Sequence, residues 1–406
     1  MSTLVTRADV EAARGEQHGV VRRTPVEPSR VLAEPAGGPV HLKCENLQRT
    51  GSFKIRGAYR RIQRLTDDER ARGVVAASAG NHAQGVALAA GLLGARATVF
   101  MPAGAPLPKL AATRGYGAHV ELVDTFDATL TEAQAFADRT GAVLIHPFDH
   151  PDIIAGQGTV GLEILEQVPD VRTVVVCTGG GGLVAGIAAA LEGTGVHVVG
   201  AQAEGLAAWP VSLAAGHPVA VAGATIADGI AVPRPAELTF AQVSAQVDEV
   251  VTVSEEALSR AVLQCLERGK LLVEPAGAAA AAAIAEYPGR WETPLVGVVS
   301  GGNVDPLMLA EIVRRGMSAA GRYAGLRVRM PDRPGYLADL LAHLGRLGGN
   351  VVDVEHRRIG ASGDLGPLGI GAVEVALTLE ARGNDHREAM LAALRDAGYA
   401  VAEGAV

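Results

Sequence analysis

A regular alternation of short apolar runs with helix-forming segments constrains the fold of this chain more than any other feature. The pairs in the first half are 40–45 with 56–65, 73–78 with 83–93, 97–101 with 109–116, and 119–122 with 128–139. The second half repeats the order, with runs at 173–177, 197–201 and 295–299 and helical segments at 183–191, 255–268 and 276–285. Continuous apolar runs are typical of strands buried in a parallel sheet, and the alternation indicates covering helices. We therefore predict an α/β protein with two parallel-sheet layers.

Composition restricts the class of protein further. The 406 residues are enough for two or more domains, and the net charge of −8, from 36 basic and 44 acidic residues, provides no overall basic surface for nucleic acid or a membrane. The most apolar runs are alanine tracts far shorter than a membrane span, and the N-terminus lacks a signal-peptide core. The three cysteines, Cys44, Cys177 and Cys265, fit no metal spacing or disulfide framework. We expect a cytoplasmic protein with reduced thiols.

One lysine stands in an unusual setting. Lys54 lies between Phe53 and Ile55, directly after a Thr-Gly-Ser turn and before an amphipathic run. An apolar environment disfavours the ammonium form and lowers the lysine pKa, and a neutral amine can attack a carbonyl group to form a Schiff base. The alternative is an ordinary surface lysine. The context favours a reactive amine.

Four successive glycines, 179–182, follow one predicted strand and precede a predicted helix. Such a loop lets the backbone approach a phosphate closely, and the N–H groups and helix dipole favour a dianion. A flexible turn is the simpler alternative. The sequence argues against a nucleotide P-loop, because no Gly-Lys-Ser/Thr follows. A dinucleotide site would use Gly180, Gly182 and Ala185, with Glu204 as its acid, and fits only the alanine-ended form of that fingerprint.

Two further motifs follow predicted strands. Residues 78–82 (SAGNH) connect a strand to a helix, where backbone N–H groups suit a carboxylate; alternatively, Asn81 only caps the helix. Ser300 ends another strand and precedes Gly301-Gly302-Asn303. In open α/β sheets ligands bind beyond the carboxyl ends of the strands, which is where these motifs are predicted to lie.

SFKIRG (52–57), SAGNHAQG (78–85), TGGGGL (178–183) and SGGN (300–303) occur in this order. Together they resemble the fold-type II family of pyridoxal-phosphate enzymes and, within it, the threonine ammonia-lyases. The likeness runs from about Val20 to Arg315. It implies a tryptophan synthase β-like fold of two parallel-sheet α/β subdomains with pyridoxal 5′-phosphate as cofactor. The implied reaction is β-elimination of L-threonine to 2-oxobutanoate and ammonia, with L-serine as a secondary substrate.

The resemblance also implies a role for each motif. Lys54 would bind the cofactor as a Schiff base and take the α-proton, Asn81 would face the cofactor's 3′-oxygen, and Ser300 would face the pyridine nitrogen. Because a hydroxyl is a poor partner for a pyridinium, we expect Ser300→Asp to slow elimination. The further cofactor-binding residues would be Phe53, Gly179, Gly180, Gly181, Gly182 and Leu183. The substrate-binding residues would be Ser78, Ala79, Gly80, Asn81 and His82, with His82 not acting as a base.

Several alternatives on the same scaffold stay open. Serine racemases carry a second hydroxyl base where this chain has Ala79, so we expect little racemisation. Glu204 matches the first acid of their divalent-cation site, but Pro210 stands where the second acid would be. We therefore predict no metal. A serine- or hydroxyaspartate-type lyase is the nearest rival, followed by a synthase that exchanges the β-substituent. A different class is an amino-acid-binding regulatory protein with an inactive catalytic half.

The pattern changes after a small, polar stretch at 316–325, which we interpret as a linker between a catalytic domain at 1–315 and a smaller domain at 326–406. Predicted strands at 326–330, 351–359, 372–380 and 400–403 and helices at 336–347 and 386–397 give the ferredoxin-like order βαββαβ. The start, 331–337 (PDRPGYL), resembles the ACT domain family. The resemblance implies an amino-acid effector, with isoleucine or valine as candidates, a homodimer or homotetramer, and a role in isoleucine biosynthesis or threonine catabolism; a purely structural dimer-forming domain is the alternative.

Overall fold

The computed structural model of the protein describes residues 4–357 and 371–404, apart from the side chains of Phe126 and Asp127. The chain forms two compact units, Met1–Leu309 and Ala310–Val406. No helix in the described ranges is both long enough and apolar enough to cross a membrane.

The first unit is built on two sheets. Its strands in chain order are β1 (Val26–Pro28), β2 (Val40–Cys44), β3 (Val74–Ala77), β4 (Ala97–Pro102), β5 (His119–Val123), β6 (Val143–Leu144), β7 (Thr173–Cys177), β8 (His197–Ala203), β9 (Glu249–Val253) and β10 (Leu295–Val299). The larger sheet has the order β1-β2-β10-β7-β8-β9, and the smaller has the order β5-β4-β3-β6. Every pairing is parallel except that of β1 with β2. The predicted pair of parallel layers is therefore confirmed.

Helices cover both sheets of this unit. They are α1 (Arg7–Glu16), α2 (Arg30–Ala36), α3 (Lys54–Gln63), α4 (Asp67–Arg72), α5 (Asn81–Leu92), α6 (Leu107–Gly115), α7 (Phe126–Thr140), α8 (Pro151–Gln167), α9 (Gly182–Leu191), α10 (Ala208–Ala215), α11 (Glu237–Gln246), α12 (Glu255–Gln264), α13 (Pro275–Glu286) and α14 (Pro306–Ala319), which continues into the second unit. Helix α13 is almost entirely alanine where it packs against β7 and β10, and its alanines are fully buried. Small side chains bring this helix close to the sheet.

The second unit contains β11 (Tyr323–Pro331), α15 (Tyr336–Arg346), β12 (Asn350–Arg357), β13 (Ala372–Glu380), α16 (Asn384–Asp396) and β14 (Ala400–Gly404). The strands form an antiparallel sheet in the order β12-β13-β11-β14. Alternate residues of β11 and β13, among them Val328 and Val375, are buried against the helices. This is the predicted βαββαβ fold; the end of the predicted strand 351–359 lies outside the described residues.

The predicted linker at 316–325 differs from the secondary structure, in which only residues 320–322 lie outside a helix or a strand. Residues 316–319 complete α14, and β11 already begins at Tyr323. The small residues that suggested a linker have other uses: Gly316 is buried on the helix, and Gly321 adopts a φ of 66° just after it. A left-handed glycine is a common way to end a helix.

Several other boundaries differ from the prediction. Helix α3 begins at Lys54 itself, and α5 begins at Asn81, so Gly80 and not Asn81 stands at its N-cap. Helix α12 ends at Gln264, and a wider turn follows over Cys265–Gly269. The long helix α8 was not predicted at all, because its buried faces combine glycines and polar residues with aliphatic ones.

Candidate active site

The carboxyl ends of β3, β7 and β10 open onto a cavity of about 480 Å³ in the first unit. The beginnings of α3, α5 and α9 lie on the same cavity, which places the backbone N–H groups of three helix N-termini around one space. All residues that the sequence predicted for the site lie on its wall: Phe53, Lys54, Ser78, Ala79, Gly80, Asn81, His82, Gly179, Gly180, Gly181, Gly182, Leu183 and Ser300.

Lys54 presents its amine to this cavity from the first turn of α3. The Nζ atom donates a hydrogen bond to the carbonyl oxygen of Pro147 at 3.1 Å and lies 5.1 Å from the centre of the Phe53 ring. Burial lowers the pKa of Lys54 from 10.5 to about 8, and the opposing effects of Cys177 and Glu274 are smaller. In the described part of the chain Lys54 forms no ion pair. A substantial fraction of the amine is therefore neutral near physiological pH.

The glycine loop is packed tightly against the aromatic side chains of Trp209 and Phe148. The Trp209 indole donates a hydrogen bond from Nε1 to the Gly179 carbonyl oxygen at 2.6 Å, and a Cβ on Gly181 would lie 2.5 Å from Trp209 Cζ2. A Cβ on Gly180 would overlap with the ring of Phe148. The backbone can therefore take this path only without side chains.

The first turn of α9 leaves unpaired N–H groups at the end of this loop. The first hydrogen bond of the helix joins Ala185 N–H to the Gly181 carbonyl oxygen at 2.9 Å. The N–H groups of Gly182, Leu183 and Val184 consequently have no partner within the helix. Together with the helix dipole they form an anion site for a phosphate group.

The segment 78–82 presents a second set of free helix N–H groups, next to the other sheet. Gln84 N–H makes the first hydrogen bond of α5, to Gly80, which leaves the N–H groups of Asn81, His82 and residue 83 without helical partners. The Gly80 N–H is already bound to Ser78 Oγ at 3.1 Å. The N–H groups of the first helical turn, more than that of Gly80, can therefore receive a carboxylate.

His82 is held as a neutral structural residue. Its Nε2 atom lies 2.7 Å from the carbonyl oxygen of Ile145, so this nitrogen carries the hydrogen and donates it. Burial and the nearby Lys54 lower the pKa of His82 to about 3. His82 is therefore neutral and bonded to the backbone through Nε2, and its exclusion as a base stays a prediction.

Ser300 and Cys177 meet where two neighbouring strands end. The Cys177 thiol donates a hydrogen bond to Ser300 Oγ at 3.1 Å, and Ser300 is buried apart from its contact with the cavity. Burial raises the pKa of Cys177 to about 11, which keeps the thiol protonated. The backbone of Ser300 also accepts a hydrogen bond from Phe53 N–H at 3.1 Å, which ties β10 to the lysine segment.

Sequence reasoning missed several residues of the cavity. Lys109 and Asp228 form an ion pair of 2.6 Å on its wall, and Glu274 reaches it from the start of α13. Asn81 donates a hydrogen bond from Nδ2 to Glu274 Oε1 at 2.5 Å. The sequence offers one signal for Glu274: this acid stands between the apolar residues 271–273 and Pro275. Burying a charge in such a segment costs free energy, which indicates a specific role for the carboxyl group.

A buried cluster of charges lies behind Lys54. Arg56 is fully buried and donates two hydrogen bonds to Glu45, both of 2.8 Å, and one to Glu163 at 2.7 Å. Glu163 also binds the buried ammonium group of Lys43 at 2.5 Å. These carboxylates hold the pKa of Arg56 above its usual value. The cluster fixes α3, and with it Lys54, against α8.

A lysine amine that faces a glycine loop across a cavity, at the carboxyl ends of parallel strands, is typical of enzymes that bind pyridoxal phosphate. The chain belongs to the pyridoxal-phosphate dependent enzymes, whose family model matches residues 18–301. The ACT domain model matches residues 325–398.

Within this family the chain is similar to threonine-degrading lyases. It is 45% identical over 402 residues to the L-threonine ammonia-lyase of Thermotoga maritima, covering 98% of this chain and 99% of the relative. The structure of the processed form of threonine deaminase isoform 2 from Solanum lycopersicum has a TM-score of 0.72 and 36% identity, covering 76% of this chain and 91% of that one. The structure of the serine racemase from Dictyostelium discoideum has a TM-score of 0.70 and 36% identity, and the match covers 74% of this chain and 99% of that one.

The residues of the cavity fit pyridoxal phosphate. The glycine loop is a cradle that added Cβ atoms would obstruct, and it ends at the free N–H groups of α9. Lys54 supplies a partly neutral amine for the aldehyde, and Ser300 supplies a hydroxyl. Among the residues that the structure describes, no cluster of three His, Cys, Asp or Glu side chains could hold a metal ion.

Proposed function

We propose that this protein is an L-threonine ammonia-lyase, which converts L-threonine to 2-oxobutanoate and ammonia and accepts L-serine as a secondary substrate. The similarity to the Thermotoga maritima enzyme over almost the full length supports this function. The observation that carries the chemistry is the Lys54 amine, which faces the cavity, has a lowered pKa and forms no ion pair in the described part of the chain.

Pyridoxal phosphate, when bound, withdraws electrons from the α-carbon of an amino acid and makes its proton acidic. We assign the acceptance of that proton to Lys54. With a pKa of about 8, roughly a tenth of its amine is neutral at pH 7, whereas an ordinary lysine is almost fully charged. Overall, the C–H bond at Cα and the C–O bond at Cβ of threonine break, and the hydroxyl takes up a proton and leaves as water. The unsaturated product, as its imine, then adds one water molecule and yields 2-oxobutanoate and ammonia.

The N-terminus of α5 is the proposed site for the substrate carboxylate. The N–H groups of Asn81 and His82 have no partner within the helix, and both residues line the cavity. The helix dipole favours an anion at this end. The Lys109 ammonium, 4.0 Å from the position of a Cβ on Gly80, adds positive charge nearby. We propose the glycine loop with Leu183 for the phosphate, Phe53 and Asn81 for the cofactor ring, and Ser300 for its nitrogen.

Elimination is favoured over racemisation by the side chain at position 79. Racemisation requires a proton donor on the face of the substrate opposite to Lys54. Ala79 lies on the cavity wall and has no exchangeable proton.

The test is keto-acid formation by the purified, cofactor-loaded protein. With L-threonine we expect 2-oxobutanoate, and Lys54→Ala should abolish both turnover and the visible absorbance of the bound cofactor. Lys270→Ala is the control, because Lys270 is exposed and its ammonium group donates a hydrogen bond to the Glu267 carbonyl oxygen, away from the cavity. Full activity of Lys54→Ala would exclude the proposed role.

The second unit is proposed to bind an amino-acid effector, with isoleucine or valine as candidates. The ACT family match supports this, and the turn at Asp332 and Arg333 stands just before α15. Depressed threonine turnover with added isoleucine would indicate feedback control in isoleucine biosynthesis; unchanged turnover would indicate a role in threonine catabolism or another effector. A homodimer or homotetramer and a cytoplasmic location stay predictions.

A further inference from the structure

Glu274 is a buried carboxyl group on the cavity wall that the proposed reaction does not use. It is 3% exposed and stands at the N-cap of α13, yet its side chain makes no hydrogen bond to that helix. Short polar side chains at this position normally accept a hydrogen bond from the first turn. The Glu274 side chain points instead to Asn81, on the opposite sheet layer, and the described residues provide it with no ion-pair partner.

The contact with Asn81 ends a chain of hydrogen bonds with a fixed direction. Asn303 Nδ2 donates to the Thr50 carbonyl oxygen at 2.6 Å and to Asn81 Oδ1 at 2.8 Å. Because a backbone carbonyl only accepts, Thr50 fixes the orientation of the Asn303 amide, and Asn303 in turn fixes that of Asn81. Asn81 must then present its NH₂ group to Glu274, which accepts.

Two glycines of the sequence motifs make room for this chain. A Cβ on Gly301 would overlap with Glu274 Oε1 and would lie 3.1 Å from Asn81 Nδ2. A Cβ on Gly51, whose φ is 70°, would lie 2.5 Å from Asn303 Oδ1. The lysine segment and the Ser-Gly-Gly-Asn segment are therefore both shaped around the hydrogen-bond chain.

We propose that Glu274 is a positioning residue, whose carboxyl group holds the Asn81 amide so that its second N–H faces the cavity and binds the ring oxygen of the cofactor. The second Asn81 N–H has no acceptor among the described residues, and Asn81 lies on the cavity wall. The inference deepens the proposed function, on which its turnover readout rests. Its main readout, cofactor affinity, is independent of the substrate.

The charge of Glu274 gives this residue a property that a neutral acceptor would lack. Burial raises the pKa of Glu274 to about 7, and Asp228 acts in the same direction. The hydrogen bond from Asn81 and the charges of Lys109 and Lys54 oppose the increase. The carboxyl group therefore ionises near neutral pH, and the electrostatic environment of the bound cofactor changes with it.

The experiment compares Glu274→Ala and Glu274→Gln with the wild type, measuring the dissociation constant of pyridoxal phosphate and the absorbance of the bound cofactor as a function of pH. Glu274→Ala should weaken binding by about tenfold or more, because a hydrogen bond to a buried group is lost. Glu274→Gln keeps the acceptor and should retain most of the affinity, but it should lose the absorbance change near pH 7. Glu286→Ala, at the other end of α13, is the control and should leave affinity and spectrum unchanged.

A double variant tests whether Glu274 acts through Asn81. Affinity should fall no further in Glu274→Ala/Asn81→Ala than in Asn81→Ala alone, whereas independent roles would give multiplied effects and contradict the proposal. Wild-type affinity for pyridoxal phosphate in Glu274→Ala would also overturn the proposal. So would an absorbance change near pH 7 that persists in Glu274→Gln, and this second test requires only that the isosteric variant folds. If threonine is not converted but affinities follow this pattern, the proposed function fails and this inference stands.

Discussion

The Nζ atom of Lys54 lies 3.1 Å from the carbonyl oxygen of Pro147 and donates a hydrogen bond to it. A carbonyl oxygen can hold the amine in either protonation state, because both forms retain a hydrogen to donate. It does not stabilise the charged form as a carboxylate would. Burial therefore dominates, and the pKa of Lys54 falls.

The first prediction concerns the pH dependence of cofactor capture. The neutral amine reacts with the aldehyde, so the rate at which pyridoxal phosphate attaches to the cofactor-free protein should rise with pH and level off above the Lys54 pKa of about 8. Stopped-flow absorbance at constant cofactor concentration measures this rate. A midpoint near 10.5, the value of an ordinary lysine, would contradict the lowered pKa.

The glycine cradle gives the second prediction. Gly181→Ala places a methyl group 2.5 Å from Trp209 Cζ2, where φ is already 89°. Because overpacking costs about 1–3 kcal/mol, the displaced loop should bind pyridoxal phosphate about tenfold more weakly or worse. Gly193→Ala is matched in backbone strain, with a φ of 75°, but has open space around it. Fluorescence titration should show lost affinity only for Gly181→Ala; equal affinities would contradict a packed cradle.

The buried charge cluster gives a prediction about stability. Arg56→Met leaves the carboxylates of Glu45 and Glu163 without their main partner, and breaking a buried pair in this way costs about 3–5 kcal/mol. Denaturant unfolding should show that decrease in the free energy of unfolding. The exposed pair Arg7–Glu11 is the comparison, for which Arg7→Met should change stability by about 0–1 kcal/mol. Similar losses for both variants would refute the importance of burial.

Ser300 gives a prediction about catalysis. Ser300→Asp would place a carboxylate in a buried site, where its charge favours a proton on the ring nitrogen expected there. We expect slower threonine turnover together with a changed absorbance of the bound cofactor. Ser300→Ala, which adds no charge, should affect both properties less. Unchanged threonine turnover in Ser300→Asp would show that elimination does not depend on a neutral group at position 300.

The cavity residues that sequence analysis identified share a local signature. Lys54, Asn81, the glycine loop and Ser300 each stand near the end of a buried strand or at the start of a helix, and the topology of parallel sheets brings such positions together. Their placement follows from the pattern of strands and helices alone. Their individual roles were inferred from family resemblance.

The residues that were missed depend on contacts distant in sequence. Glu274 and Asn81 are 193 positions apart, and nothing near either residue indicates the other. The same holds for Lys109 with Asp228, 119 positions apart. A related reason explains why the predicted linker at 316–325 overlaps a helix: Gly316 has a low helix propensity, but burial on α14 keeps it helical. Tertiary packing decided each of these cases.

The most direct test of the central claim is a competition between L-threonine and L-serine for the purified, cofactor-loaded protein, with the keto acids separated and quantified. We predict that 2-oxobutanoate forms with a higher kcat/KM than pyruvate, and that the remaining amino acids keep the L configuration. Pyruvate as the dominant product would make the protein a serine lyase. Accumulation of D-serine, or no keto acid from either substrate despite bound cofactor, would contradict the assignment as an ammonia-lyase.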